Sequence, residues 1–136
     1  MGRVLGVDYG DKRIGLAISD ELEIVATPLI VHTRQRAGDD VEVVLQLCKK
    51  WNVKKIVLGL PLNMDGSSGP AVEKVEKFAR KLCENIDIEI EMWDERMSTM
   101  SAERVLIEGD MRRERRKKVI DKLAAQIILQ NCLDAE

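Results

Sequence analysis

The chain has 136 residues, of which 45% are hydrophobic and 34% charged, with a formal net charge of -2. That length fits one compact domain over residues 1–136, and no segment approaches the roughly 20 apolar residues of a membrane span. Cys48, Cys83 and Cys132 lie far apart with no CxxC and no paired histidine, which speaks against a disulfide framework or a zinc site.

The apolar stretch before Asp8 is too short for a signal-peptide core, so the expected compartment is the cytoplasm. Positive charge is concentrated locally, in Arg112, Arg113, Arg115, Arg116, Lys117 and Lys118 around the single acid Glu114. Affinity for nucleic acid, where present, is therefore expected to be local.

Residues 3–9 read as a first strand that stops at the turn composition Gly10-Asp11-Lys12, and residues 13–19 read as its hairpin partner. A turn around Ser19-Asp20-Glu21 leads to a third strand over 24–32, where Pro28 predicts an edge position or a bulge. Val41, Val44, Leu45, Cys48 and Trp51 then recur at helical spacing behind Asp39, an acceptable N-cap. The continuous apolar run over 54–61 predicts a buried parallel strand, and the turn-rich 62–70 segment precedes a helix marked by Val72, Val75, Phe78, Leu82 and Cys83. Alternation over 86–94 predicts a half-buried edge strand. A short helix from Ser98 or Thr99 to about Ile107 is expected next, joined by the basic stretch to a last helix over about 117–133. This order makes an α/β fold with a mixed sheet: an antiparallel meander on one side of the first strand and right-handed parallel crossovers on the other.

The first strand is then central, and Asp8 sits in its apolar run. A half-buried carboxylate there costs several kcal/mol unless a cation or donors compensate it. Asp121 has Ala124, Ala125, Ile128 and Cys132 at i+3, i+4, i+7 and i+11, so a second carboxylate extends the apolar stripe of the last helix. Asp94 and Glu95 offer a third at the end of the last strand. Alternation puts Asp94 on the face of Ile88, Ile90 and Met92 and Glu95 on the other, and either could join the cluster. Three carboxylates without histidine or cysteine suit hard divalent ions, Mg²⁺ or Mn²⁺. Two such ions can activate water and stabilise the leaving oxygen in phosphodiester hydrolysis. Arg13, Arg96, Arg115, Arg116 and Lys117 are candidates for phosphate contacts. Aromatic residues make up only 3% of the chain, so backbone or shape recognition is expected over base stacking.

Four stretches carry a resemblance: residues 5–20 (LGVDYGDKRIGLAISD), 59–66 (GLPLNMDG), 94–99 (DERMST) and 121–130 (DKLAAQIILQ). Together, and in this order, they resemble the motifs of the YqgF/RuvX family. The resemblance implies a ribonuclease H-like (RNase H-like) fold related to the RuvC junction resolvases, with five strands in the order 3-2-1-4-5 and strand 2 antiparallel. It implies a bacterial nuclease linked to maturation of the 5′ end of pre-16S rRNA, with Holliday junction resolution on branched DNA as the alternative. It carries the family's acids onto Asp8, Glu95 and Asp121 as catalytic and metal-binding residues.

Two other classes compete. The Asp-x-Gly turn after a strand also resembles the phosphate hairpin of actin-like ATPases and sugar kinases, but those proteins close two lobes and this length supplies one. A non-catalytic nucleic-acid-binding module would keep the fold and use its acids structurally. Either a monomer or a homodimer is compatible with the sequence, paired junction cuts favouring the dimer.

Overall fold

A computed structural model describes residues 2–35, 37–63, 65–95 and 113–135, with the backbone alone at 37–38 and 113–122. Its elements are β1 (Arg3–Tyr9), β2 (Arg13–Ser19), β3 (Ala26–Thr33), α1 (Ala37–Lys50), β4 (Val53–Leu60), α2 (Pro70–Asn85), β5 (Glu89–Asp94) and α3 (Arg113–Ala135). The five strands form one sheet in the order β3-β2-β1-β4-β5. β2 runs antiparallel to both β1 and β3, while β1, β4 and β5 are parallel. β1 is therefore central, as its nearly continuous apolar run requires.

The two faces of the sheet bury different partners. Leu5 and Val7 of β1 pack with Ile56 and Leu58 of β4 against Val44 and Cys48 of α1 and Val75, Phe78 and Leu82 of α2. Val4 and Val57 face the other way, against Ala125, Ile128, Leu129 and Cys132 of α3. Strand alternation makes this division, and it assigns position 8 to the α3 face with positions 4 and 6.

Helix α3 lies unusually close to the sheet because small residues meet beneath it. Gly6 pairs with Ala17 across the β1–β2 ladder. A Cβ built on Gly6 would lie 2.7 Å from Leu129 Cβ and 3.1 Å from the Ala125 carbonyl oxygen. Gly6→Ala is accordingly expected to lose about 2 kcal/mol of stability in urea denaturation, since the helix backbone cannot yield as a side chain would. A loss below about 0.5 kcal/mol would mean that α3 shifts freely on the strands.

Pro28 does mark an edge strand, and the β2–β3 register also shifts between Leu16 and Ala17, beside it. The exposed start of this edge is covered by side chains of α3. Gln130 Oε1 accepts from the Ala26 amide at 2.8 Å, Gln126 Nε2 donates to the Ala26 carbonyl at 3.1 Å, and Gln130 Nε2 donates to the Ile24 carbonyl at 2.9 Å.

Several boundaries differ from expectation. The third strand begins at Ala26 because the Ile24 and Val25 amides donate to the Asp20 carboxylate, at 2.7 and 3.0 Å, within a turn that holds Glu23 at φ 59°. Those two amides hold Asp20 below the usual carboxylate range. Helix α1 starts at Ala37, so Asp39 lies in its first turn and is not the cap. β5 starts at Glu89, after Ile86 ends α2 in an extended conformation. The last helix begins at Arg113, so the basic residues from there to Lys118 lie in the helix and do not form its joining segment. The expected short helix between Ser98 and Ile107 falls outside the described residues. Among the described residues, no helix is long and apolar enough to cross a membrane.

Candidate active site

Asp8 is the penultimate residue of β1, opposite Gly15 on β2, and half-buried. β4 runs parallel beside it, so Asp8 stands at the carboxyl edge of the central strands, where open α/β sheets leave a crevice. The turn that follows is tight. The Gly10 amide donates to the Arg13 carbonyl at 3.0 Å, and a Cβ on Gly10 would stand 2.7 Å from that oxygen.

Glu95 reaches the same crevice from the other side. Asp94 pairs with Leu60 at the end of β5, and Glu95 follows it directly. A Cβ on Gly59 would meet Ile128 Cδ1 at 2.8 Å and the Glu95 Cγ and Cδ atoms at 3.2 Å. Glu95 thus lies across a glycine of β4 and beside α3, on the face to which Asp8 belongs. Asp8 and Glu95 together line a cavity of about 320 Å³, with Gly10, Pro61, Ala71 and Lys74 on its walls. Asp94 does not line it, as alternation along β5 predicts.

Asp121 lies on α3 one turn before Ala125, the residue whose carbonyl sits against Gly6. The helix contacts place its later residues over the start of the strands: Gln130 bonds Ala26, and Ala26 pairs with Ser19 at the far end of β2. Its backbone therefore runs toward the Asp8 end of β1 on going back to residue 121. The side chains of Asp121, Arg115, Arg116 and Lys117 lie outside the described residues, as does all of Arg96. Arg13 opens β2 opposite Thr33, half-buried, and alternation with Gly15 and Ala17 gives it the α3 face. Among the described residues, no group of three potential metal ligands assembles. Asp8 and Glu95 are brought together from opposite ends of the sheet's parallel half, and Asp11, paired with Lys74, also lies on the cavity wall.

The cavity continues past residues that do not stand out in the sequence. Arg34 follows β3 and makes three side-chain hydrogen bonds: its Nε donates to the Asp40 carboxylate at 2.8 Å, and its Nη1 donates to the carbonyls of Gly10 and Asp11 at 2.9 and 3.2 Å. Its guanidinium also lies over the Tyr9 ring at 4.5 Å, and the ring is stacked on Phe78 at 4.3 Å. Burial raises the Tyr9 phenol, with Arg34 opposing the shift. Asp11 accepts a hydrogen bond from Lys74 Nζ at 2.9 Å, which holds its carboxyl below the ordinary range. The signal for Lys74 was its spacing: with Lys77 and Lys81 it forms an i, i+3, i+7 row on the polar side of α2.

A mixed sheet in the order 3-2-1-4-5, with its second strand antiparallel and helices on both faces, defines the RNase H-like class. Thermus thermophilus RuvC in complex with a Holliday junction substrate shares this fold, with a TM-score of 0.62 and 14% identity over 99% of this chain and 95% of that one. The fowlpox virus Holliday junction resolvase superposes with a TM-score of 0.57 and 15% identity, over 98% and 99% of the two chains. At these identities the likeness concerns the fold. The family model RuvX, described as Holliday junction resolvase, matches residues 2–135, and the chain belongs to this family. Two curated relatives, each bearing the name "Putative pre-16S rRNA nuclease", come from Caldanaerobacter subterraneus subsp. tengcongensis and Halothermothrix orenii. The first is 53% identical over 135 residues, 98% of this chain and 97% of the relative. The second is 50% identical over 132 residues, 97% and 94% of the two chains.

Proposed function

We propose that this chain is a divalent-metal-dependent nuclease that hydrolyses phosphodiester bonds at the Asp8–Glu95 cavity, and that it acts in 5′-end processing of pre-16S rRNA in the cytoplasm. The observation that carries the reading is the convergence of Asp8 and Glu95 on one open cavity at the carboxyl edge of the central strands. Identities of about half with relatives that bear the pre-16S rRNA nuclease name support the substrate.

The donors fit a hard cation. Both are carboxylates, the cavity offers no histidine or cysteine, and Asp121 on α3 is the third ligand in this proposal. Bound there, one or two Mg²⁺ or Mn²⁺ ions supply an activated water and stabilise the leaving oxygen. The chain's own residues do the rest. Asp8, Glu95 and Asp121 fix the ions, Gly59 leaves the space that Glu95 occupies, and Arg13 and Arg96 hold the phosphates beside the scissile one. The walls of Gly10, Pro61 and Ala71 keep the site open enough for a polymer to enter.

A second reading, resolution of branched DNA, is favoured by the family's description and requires two sites in a symmetric dimer. A side-by-side Mn²⁺ cleavage assay on a precursor rRNA 5′ end and a four-way DNA junction separates the two. The expected result is cutting of the rRNA precursor. Paired symmetric nicks in the junction, with the RNA intact, would move the assignment to the second reading. Cleavage of neither would leave a binding module whose acids serve structure.

A further inference from the structure

A second, larger cavity of about 500 Å³ adjoins the acidic one, and Tyr9, Asp11 and Lys74 line both. Its remaining walls are Arg34, Lys77, Phe78 and Lys81, so among the described residues four cations surround it and Asp11 is its one acid. We propose that this basic cleft is the track for the phosphate backbone of the nucleic-acid strand that enters the acidic site, with Lys77 and Lys81 as its phosphate-binding residues. The inference rests on the nuclease reading above and adds to it where the strand runs.

Three observations point to phosphate in this cleft. First, the cations differ in how far they are already committed. Arg34 is bound to Asp40, and Lys74 to Asp11. Lys77 and Lys81 are exposed, and among the described residues neither is in a salt bridge. Two unneutralised ammonium groups beside a pair of carboxylates mark where a polyanion gains most from displacing solvent ions.

Second, the aromatic floor cannot read bases. Phe78 stacks on the Tyr9 ring and Arg34 lies over it, so the ring is already engaged by neighbours of its own chain. The cleft therefore suits a sequence-independent backbone, not an unstacked base.

Third, the lysine row has a matching length. Positions 74 and 81 are about 10 Å apart along a helix that rises roughly 1.5 Å per residue. That matches the axial advance of about three base-pair steps of a duplex, at roughly 3.4 Å each. Lys74, shared by both cavities, stands at the join. Its pairing with exposed Asp11 is a contact that an arriving phosphate can exchange without exposing a buried charge.

The test uses the full chain and measures the salt dependence of binding to fluorescently labelled RNA and to a labelled four-way DNA junction, in Ca²⁺ buffer so that the probes stay intact. Lys77→Ala/Lys81→Ala is compared with the charge-matched control Lys49→Ala/Lys50→Ala, and thermal melting confirms that both fold. The expected result is an affinity about tenfold lower for the first variant at 0.1 M salt. Its log–log salt slope should be shallower by about 1.8 on duplex or about 1.4 on single strands, while the control keeps the wild-type slope. An unchanged slope in Lys77→Ala/Lys81→Ala, with wild type binding normally, overturns the track and leaves the nuclease reading standing. Absence of binding by the wild type to both probes overturns both. A slope change confined to one probe supports the track and names RNA or branched DNA as its occupant.

Discussion

Replacing Asp8 by Asn is expected to lower Mn²⁺-dependent cleavage by about 10³-fold or more while leaving the fold intact. The substitution keeps the shape of the side chain and removes only its charge. Asp8 shares a cavity with Glu95, where its charge is placed to help hold a cation. The metal-free Asn variant should therefore melt close to the wild-type temperature, so activity falls without a matching loss of stability. A structural role predicts the reverse, a falling melting temperature that drags activity down with it. Single-turnover cleavage and thermal melting on the same preparations separate the two. Cleavage retained within a few-fold of wild type would remove Asp8 from the mechanism.

Asp40→Ala is expected to cost about 3 kcal/mol of folding stability, or roughly 10 °C in melting temperature for a chain of this size. The Asp40 side chain is 2% exposed and binds Arg34 Nε at 2.8 Å, while the Arg34 side chain is itself only 23% exposed. Removing the acid leaves a largely buried guanidinium without its carboxylate, and that uncompensated charge dominates the loss. Arg34→Met in the Asp40→Ala background should recover part of the stability, because an apolar pair of similar volume avoids the desolvation cost. The double variant would still lack the Arg34 donors to the Gly10 and Asp11 carbonyls, so the turn after Asp8 should stay loosened. Urea denaturation checks the first claim, and hydrogen exchange at residues 10–13 checks the second. A loss below about 1 kcal/mol for Asp40→Ala would show that water reaches and solvates Arg34.

Much of the fold is legible in the residues because strong local periods agree with one topology. The β1–β2 meander, the parallel β4 run and the two helices that cover one face all follow from patterns of period 2 or 3.6. Alternation along β5 sets Asp94 and Glu95 on opposite faces without choosing between them, and the family resemblance points to Glu95; the cavity walls include Glu95 and not Asp94. What failed locally has local causes. Ile24 and Val25 look like strand residues, but their amides are taken by Asp20, and Asp39 looks like a cap although the chain already turns helical at Ala37. The basic stretch around 112–118 drew attention as a charge run, whereas Lys74, Lys77 and Lys81 are spread through a helix among glutamates. Their convergence with Arg34 depends on Asp40 and Tyr9, contacts that no sequence spacing encodes.

The seating of α3 on Gly6 has a consequence for the order of events during synthesis. The strands that hold Asp8 emerge from the ribosome before α3, the helix that covers their open face among the described residues. Until Ala125, Ile128 and Leu129 dock, Val4 and Val57 remain wet and the proposed carboxylate set is incomplete. Long-range contacts of this kind form late, after the loop-closure cost has been met. A partly translated chain would thus carry Asp8 without Asp121 beside it. If Asp121 completes the site as proposed, cutting activity would begin only once α3 has docked on the sheet.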